Sequence, residues 1–341
     1  MTIRVVQWTT GPVARAAVRG ILANPDLELV GAYAWSPDKV GKDLGELCNL
    51  PPLGIAATND VEAIVALKPD VVVYMPLLWN VDHMVRLLES GINVIATSNF
   101  ITGSCYAPGE QQRLQEAAER GGATIYGSGI NPGHASAMAL TAAAASREVS
   151  YIGVHEAADC TEYQSAETWR ALGFGSPPDT PGMREAAMER QKVFQEVVET
   201  LAQSLGVELD EVRFVWEAGV ATRDLDLGYM TIDKGMVCGQ KSLWQGIVAG
   251  KPFAEASAIW RLGDAIEPDW AVHNGHVIEI RGMPGVSMRI NYEHLADPDE
   301  FNAVTANPAV NAIPAVVAAR PGIVTVVDLP LITAGSVKPG A

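Results

Sequence analysis

Short apolar runs alternate with amphipathic stretches through the first half of the chain. The runs Ile3–Trp8, Leu27–Ala34, Asp70–Met75, Asn93–Thr97 and Ala123–Gly127 predict strands. Between them, Val61–Leu67, Val81–Glu89 and Glu110–Arg120 repeat apolar residues at helical spacing. Val71-Val72-Val73-Tyr74 is continuous rather than alternating, the pattern of a parallel strand covered on both faces. Strand–helix alternation with short links marked by Gly and Pro predicts a doubly wound parallel sheet.

The pattern changes after about residue 147. Tyr151–Ala158 reads as a strand, and the prolines and glycine around 177–182 mark a loop. One long helix is expected from Met183 to Leu205, with Phe194, Val197, Val198, Leu201 and Leu205 on its apolar stripe. Extended segments follow at Val212–Ala218, Met230–Val237, Ser242–Val248, Val277–Arg281 and Val286–Tyr292. An apolar helix over Ala309–Ala319 needs a cover, which a return to the first domain would supply. The expected class is therefore α/β, with a second α+β domain carrying an open mixed sheet. The expected boundaries are 1–147 for the parallel-sheet domain, 148–300 for the α+β domain and 301–341 for the returning segment.

Charge narrows the partners. Forty acidic and 24 basic side chains give a formal net charge of −16, which opposes nucleic acid and anionic membranes. The four cysteines are scattered and suggest neither a disulfide framework nor a zinc site. No signal peptide is apparent and the longest apolar run is too short for a bilayer, so the cytoplasm is the expected compartment.

The turn after the first strand carries the first chemistry. Aligning Thr9-Thr10-Gly11-Pro12-Val13-Ala14 with G-x-G-x-x-G keeps only the middle glycine, the one that lets backbone approach a pyrophosphate. Ala14 is small enough for helix packing, Pro12 suits a first helical turn, and Arg15 could reach an anion. After the second strand, Ser36 and Lys39 stand where NAD-binding sites usually place an acid. Neither repels a 2′-phosphate, so NADP(H) is favoured over NAD(H). Asp38 leaves NAD(H) open.

Several polar residues could handle a proton. Asn99 lies at a strand's carboxyl end, and His134 follows Gly133 at an expected helix start. His155 through Tyr163 is more polar than an ordinary strand exit. Alternation places Glu156 on the face opposite His155 and Asp159. Glu156 or Asp159 could act as an acid, and Tyr163 could orient substrate. Trp169, Leu172, Phe174 and Met183 are candidates for an apolar pocket wall, and no catalytic metal is expected.

With these segments placed, the chain resembles a known family. Val5–Trp8, the Gly11 turn, Ser36–Gly41, Gly129-Ile130-Asn131-Pro132-Gly133 and Ala309–Ile323 look like dihydrodipicolinate-reductase-like oxidoreductases. Within that group they resemble native NAD(P)H-dependent amine dehydrogenases, relatives of 2,4-diaminopentanoate dehydrogenase. The resemblance implies a Rossmann domain, a homodimer formed through the central domain, and hydride exchange between NAD(P)H and an imine or amine. It implies phosphate-loop roles for Gly11, Pro12, Val13, Ala14 and Arg15. Contacts to nicotinamide and ribose fall on Pro76, Thr97, Ser98 and Asn131. The family glutamate beyond Asn93–Thr97 is replaced by Asn99, whose amide can position a group but cannot act as a base near neutral pH. Thr9 and His134 also depart from the family pattern. The expected function is an NADP(H)-dependent imine reductase or amine dehydrogenase acting on a small, largely apolar compound. A ketone or aldehyde reductase and a non-catalytic NADP(H)-binding sensor remain the alternatives.

Overall fold

The computed structural model describes residues 2–97, 100–292 and 301–337. The chain divides into two compact units, Met1–His134 with Asp299–Ala341, and Ala135–Pro298.

The first unit is built on β1 (Ile3–Trp8), β2 (Leu27–Tyr33), β3 (Ala57–Thr58), β4 (Val71–Tyr74), β5 (Asn93–Ala96), β6 (Thr124–Gly127) and β16 (Gly322–Val324). All neighbours pair in parallel, in the order β16-β6-β5-β4-β1-β2-β3. The five expected strands are present. The short β3 and β16 extend the sheet at its two ends, each too brief to leave a periodic signature. Helices lie on both faces. α1 (Pro12–Ala23) and α10 (Ala303–Val317) share an apolar cluster with Val5, Val71 and Ile95, while α3 (Val61–Ala66), α4 (Val81–Glu89) and α5 (Glu110–Gly121) cover Val6, Val72 and Val94. Short α2 (Leu44–Leu47) packs near β2 and β3. Gly20 lets α1 and α10 meet closely, since an added Cβ would lie 3.3 Å from Asn307. The fold is α/β and doubly wound.

The second unit carries α6 (Ala135–Ala143), α7 (Ala166–Ala171), α8 (Met183–Arg190) and α9 (Val193–Ser204). Its mixed sheet contains β7 (Arg147–Asp159), β8 (Glu211–Ala221), β11 (Val237–Val248), β12 (Lys251–Arg261), β13 (Ile266–Glu267), β14 (Gly275–Met283) and β15 (Val286–Asn291). The order is β13-β8-β11-β12-β7-β14-β15, with β12 and β7 parallel and the other pairs antiparallel. A separate ribbon pairs β9 (Leu225–Asp226) with β10 (Thr231–Ile232).

Three expectations change here. The long helix is two, α8 and α9, because Gln191 is buried between them, accepting from Ser242 Oγ at 2.5 Å and donating to Gln240 at 3.3 Å. Met230–Val237 is not one strand, since Gly235 turns the chain at φ +85 between β10 and β11. The Ala-rich β12 was missed, for alanine has little strand propensity and this strand is held by its neighbours. α9 covers one face of the sheet, where Phe194 meets Trp260 and Val198 lies at Gly246. Along the other face Leu243, Glu255, Ser257, Val277 and Glu279 stay half-exposed. Among the described residues, no helix is long and apolar enough to cross a membrane.

Candidate functional site

A parallel sheet delivers every strand's carboxyl end to the same edge, and helices beginning there point their N–H groups at it. The residues after β1, β2, β4, β5 and β6 therefore share one edge of the first unit. They include Gly11–Arg15, Ser36 and Lys39, Pro76, Thr97, and Asn131 with His134. β1 sits between β4 and β2, where the order reverses and doubly wound sheets open a crevice.

The first turn is unusual in its backbone. Thr9, in the place of the first fingerprint glycine, adopts φ +78. Its N–H donates to Tyr33 O at 2.9 Å and its hydroxyl to Met75 O at 3.0 Å, which ties β1 to both neighbours. Gly11 caps α1 with extended backbone, φ −75, and an added Cβ would meet nothing within 4 Å. Neither conformation nor packing requires glycine there. What glycine preserves is open space before the helix start, as a dinucleotide's pyrophosphate would need. Pro12 opens the helix, no acidic residue lies in its first turn, and Ala14 is buried against the core. These residues fit a dinucleotide's pyrophosphate.

Lys39 reaches toward this loop. It ends a single turn of 3-10 helix, Pro37–Lys39, and its ammonium donates to Thr10 Oγ1 at 3.2 Å. Asp38 is exposed in the same turn. Thr97 N donates to Tyr74 O at 3.2 Å. The turn Gly129–His134 packs against Ser128, where a Cβ on Gly133 would come within 2.7 Å of backbone. That glycine is structural. Ser98 and Asn99 lie outside the described residues.

In the second unit, β7 alternates as expected and separates its polar residues. Glu156 is half-buried. Trp260 Nε1 donates to its Oε1 at 2.9 Å, and His276 Nε2 stands 3.5 Å from its Oε2. His276 is 2% exposed, and Tyr292 places its hydroxyl 3.5 Å from Nδ1. Burial, followed by the Glu156 charge, raises the pKa of the Tyr292 phenol. Asp159 is braced differently: Thr161 donates to its Oδ1 through N–H and hydroxyl, at 3.1 and 2.6 Å, and Arg261 Nε lies 3.4 Å from Oδ2. His155, on the opposite face, lies 3.0 Å from the Tyr151 hydroxyl and 2.8 Å from that of Ser257.

Tyr163 meets Trp169 edge-on, at 5.7 Å and 81°, and burial raises its phenol pKa. Trp169, Phe174 and Met183 are buried, while Leu172 is half-buried beside them. Among the described residues, no group of three or more His, Cys, Asp or Glu is placed to hold a metal ion. Sequence reasoning missed Thr10, Trp260, His276 and Tyr292. The one available signal was the polar His276 beside the apolar run Val277-Ile278.

A family model described as the 2,4-diaminopentanoate dehydrogenase C-terminal domain matches residues 136–338. An amine dehydrogenase of Streptomyces virginiae is 30% identical over 96% of both chains. A 2,4-diaminopentanoate dehydrogenase of Acetoanaerobium sticklandii is 24% identical over 73% of this chain and 70% of its own. The solved amine dehydrogenase of Mycobacterium smegmatis, 22% identical, superposes with a TM-score of 0.83 over 98% of this chain and 97% of that one, which shows a common fold. The class is an α/β oxidoreductase. Within it, the chain belongs to the family of amine dehydrogenases and 2,4-diaminopentanoate dehydrogenases.

Proposed function

We propose that the protein is an NADP(H)-dependent oxidoreductase acting on C=N and C–N bonds. It would reduce an imine, or oxidise an amine, of a small and largely apolar compound. The observation that carries this reading is the open helix start at Gly11, in a chain whose full-length relative is an amine dehydrogenase. When bound, the cofactor supplies or accepts the hydride at its nicotinamide ring. Gly11–Arg15 would hold the pyrophosphate, and Pro76, Thr97 and Asn131 would line the ribose and nicotinamide. Ser36 and Lys39 would take the 2′-phosphate, a role supported by the Lys39 ammonium lying at Thr10 of the phosphate loop.

The reaction also needs a proton at the substrate nitrogen. Glu156 is our candidate, favoured over Asp159 because its carboxylate lies beside an indole and an imidazole, whereas Asp159 braces the turn at Thr161 and pairs with Arg261. A half-buried carboxylate with an indole donor on one oxygen and an imidazole near the other is placed to hold or release a proton. Tyr163 would orient the substrate. We further propose a homodimer formed through the half-exposed face of the second sheet.

The test is NADPH oxidation with three substrate sets: cyclic imines, a ketone with ammonia, and a ketone alone. Turnover with imines supports the proposal, and turnover with ketone plus ammonia extends it to reductive amination. Turnover with ketone alone points to a carbonyl reductase. Tight NADPH binding with no turnover in any set points to a sensor.

A further inference from the structure

We propose that Trp35 is the platform on which the adenine ring of the cofactor stacks, an inference that rests on the dinucleotide reading above. The chain has eight tryptophans, and seven are buried or half-buried. Trp35 alone is exposed, at 73%. It is also outside the apolar clusters on either face of the parallel sheet. An indole left in water at a sheet's carboxyl edge gives the fold little.

Its backbone is nonetheless rigidly held. Just before it, Ala34 is fully buried and its N–H donates to Thr58 O at 2.8 Å. Just after it, Lys39 N–H closes on Ser36 O at 3.0 Å, Val40 on Pro37 O at 3.2 Å, and Gly41 on Ala57 O at 2.8 Å. Trp35 is therefore presented from a frame anchored on both sides, with its own ring uncovered. Such preorganisation lowers the ordering cost of binding.

Location selects the ligand. Lys39 spans from this turn to Thr10, so the segment after β2 and the phosphate loop lie one lysine side chain apart. A dinucleotide whose pyrophosphate sits at the start of α1 places its adenosine ribose at the end of β2. The purine then leaves the ribose beside residues 35–39. A flat aromatic face there offers stacking, and every purine has a π-face to meet it. Lys39 and Trp35 would divide the adenosine half, charge for the phosphate and stacking for the base.

The experiment is calorimetric titration of the full chain with NADPH, with adenosine 2′,5′-bisphosphate and with reduced nicotinamide mononucleotide. Trp35→Ala is expected to raise Kd for the first two by roughly 5- to 150-fold, the usual range for a lost base–aromatic stack. Mononucleotide binding and melting temperature should not change. Trp35→Phe should recover most of the affinity. If Trp35→Ala binds the bisphosphate as tightly as wild type, the proposal is wrong, whatever happens to NADPH. If wild type binds neither NADPH nor the bisphosphate, the dinucleotide reading itself fails and this inference falls with it.

Discussion

The two units assemble their polar groups by different rules. At the carboxyl edge of the parallel sheet, each candidate residue lies a few positions beyond a strand that its own apolar run reveals. Parallel topology alone then brings those loops together. In the second unit, Glu156 meets Trp260 and His276, 104 and 120 positions away, and only because β12 and β14 flank β7 in one register. A shift of one residue in either pairing would turn those partners to the opposite face. Local order thus specifies the first site, and long-range register the second.

The first rule is challenged with two glycines of one unit. Gly11→Val places a side chain in the open space before α1, where no protein atom waits. NADPH affinity should fall by about 100-fold or more, the cost of losing two or more charge-assisted hydrogen bonds, while the melting temperature holds. Gly133→Ala should do the reverse, since its Cβ would press within 2.7 Å of Ser128 backbone. A loss of about 1–3 kcal/mol of stability is expected there. Equal behaviour of the two variants in paired melts and titrations would erase the distinction between a ligand-facing and a structural glycine.

Glu156→Gln challenges the second rule. It keeps the shape and an acceptor for Trp260 but removes the ionisable group, so turnover should fall by roughly 10²- to 10⁴-fold with NADPH affinity unchanged. Asp159→Asn should instead act mainly on stability, through the Thr161 and Arg261 braces. Turnover surviving in Glu156→Gln and lost in Asp159→Asn would reverse the assignment. A smaller effect is expected for Lys39→Ala, about 10- to 100-fold weaker NADPH binding with NADH little changed. Equal losses for both coenzymes would separate Lys39 from the 2′-phosphate.

The same contrast explains what could be read from sequence. Val71–Tyr74 and the Gly11 turn announced the parallel sheet and its loop because each signal is contained within a few residues. Gly11 stood out even though Thr9 holds the left-handed position usually given to glycine, stabilised by a hydroxyl bond to Met75 that no local pattern reveals. Trp260 and His276 could not be read as partners of Glu156, since neither β12 nor the full register of β14 is encoded locally. The break between α8 and α9 was hidden for a similar reason. It depends on Gln191 finding Gln240 and Ser242 some 50 positions later. Trp169 and Phe174 pack ring to ring at 5.1 Å in the buried interior, a contact that no linear pattern reveals.

The smallest expected effect separates the two faces of β7, using residues adjacent in sequence. Glu156 points to the α9 side, while His155 sits on the half-exposed side among Tyr151, Ser257, Glu255, Glu279 and Arg281. Burial lowers the His155 pKa below its ordinary value of 6.5, with Glu255 opposing that shift. The unfolded chain therefore takes up this proton first as pH falls. The contribution of His155 to stability is fully present above about pH 6.5 and is lost as pH drops through the lower folded value. Wild type should lose melting temperature from about pH 7.5 to about pH 5 more steeply than His155→Gln, whose side chain cannot titrate. NADPH turnover at neutral pH should differ little between them. Matching pH slopes would show that this histidine is not buried in its neutral form, and a collapse of turnover would tie the half-exposed face to the chemistry assigned to Glu156.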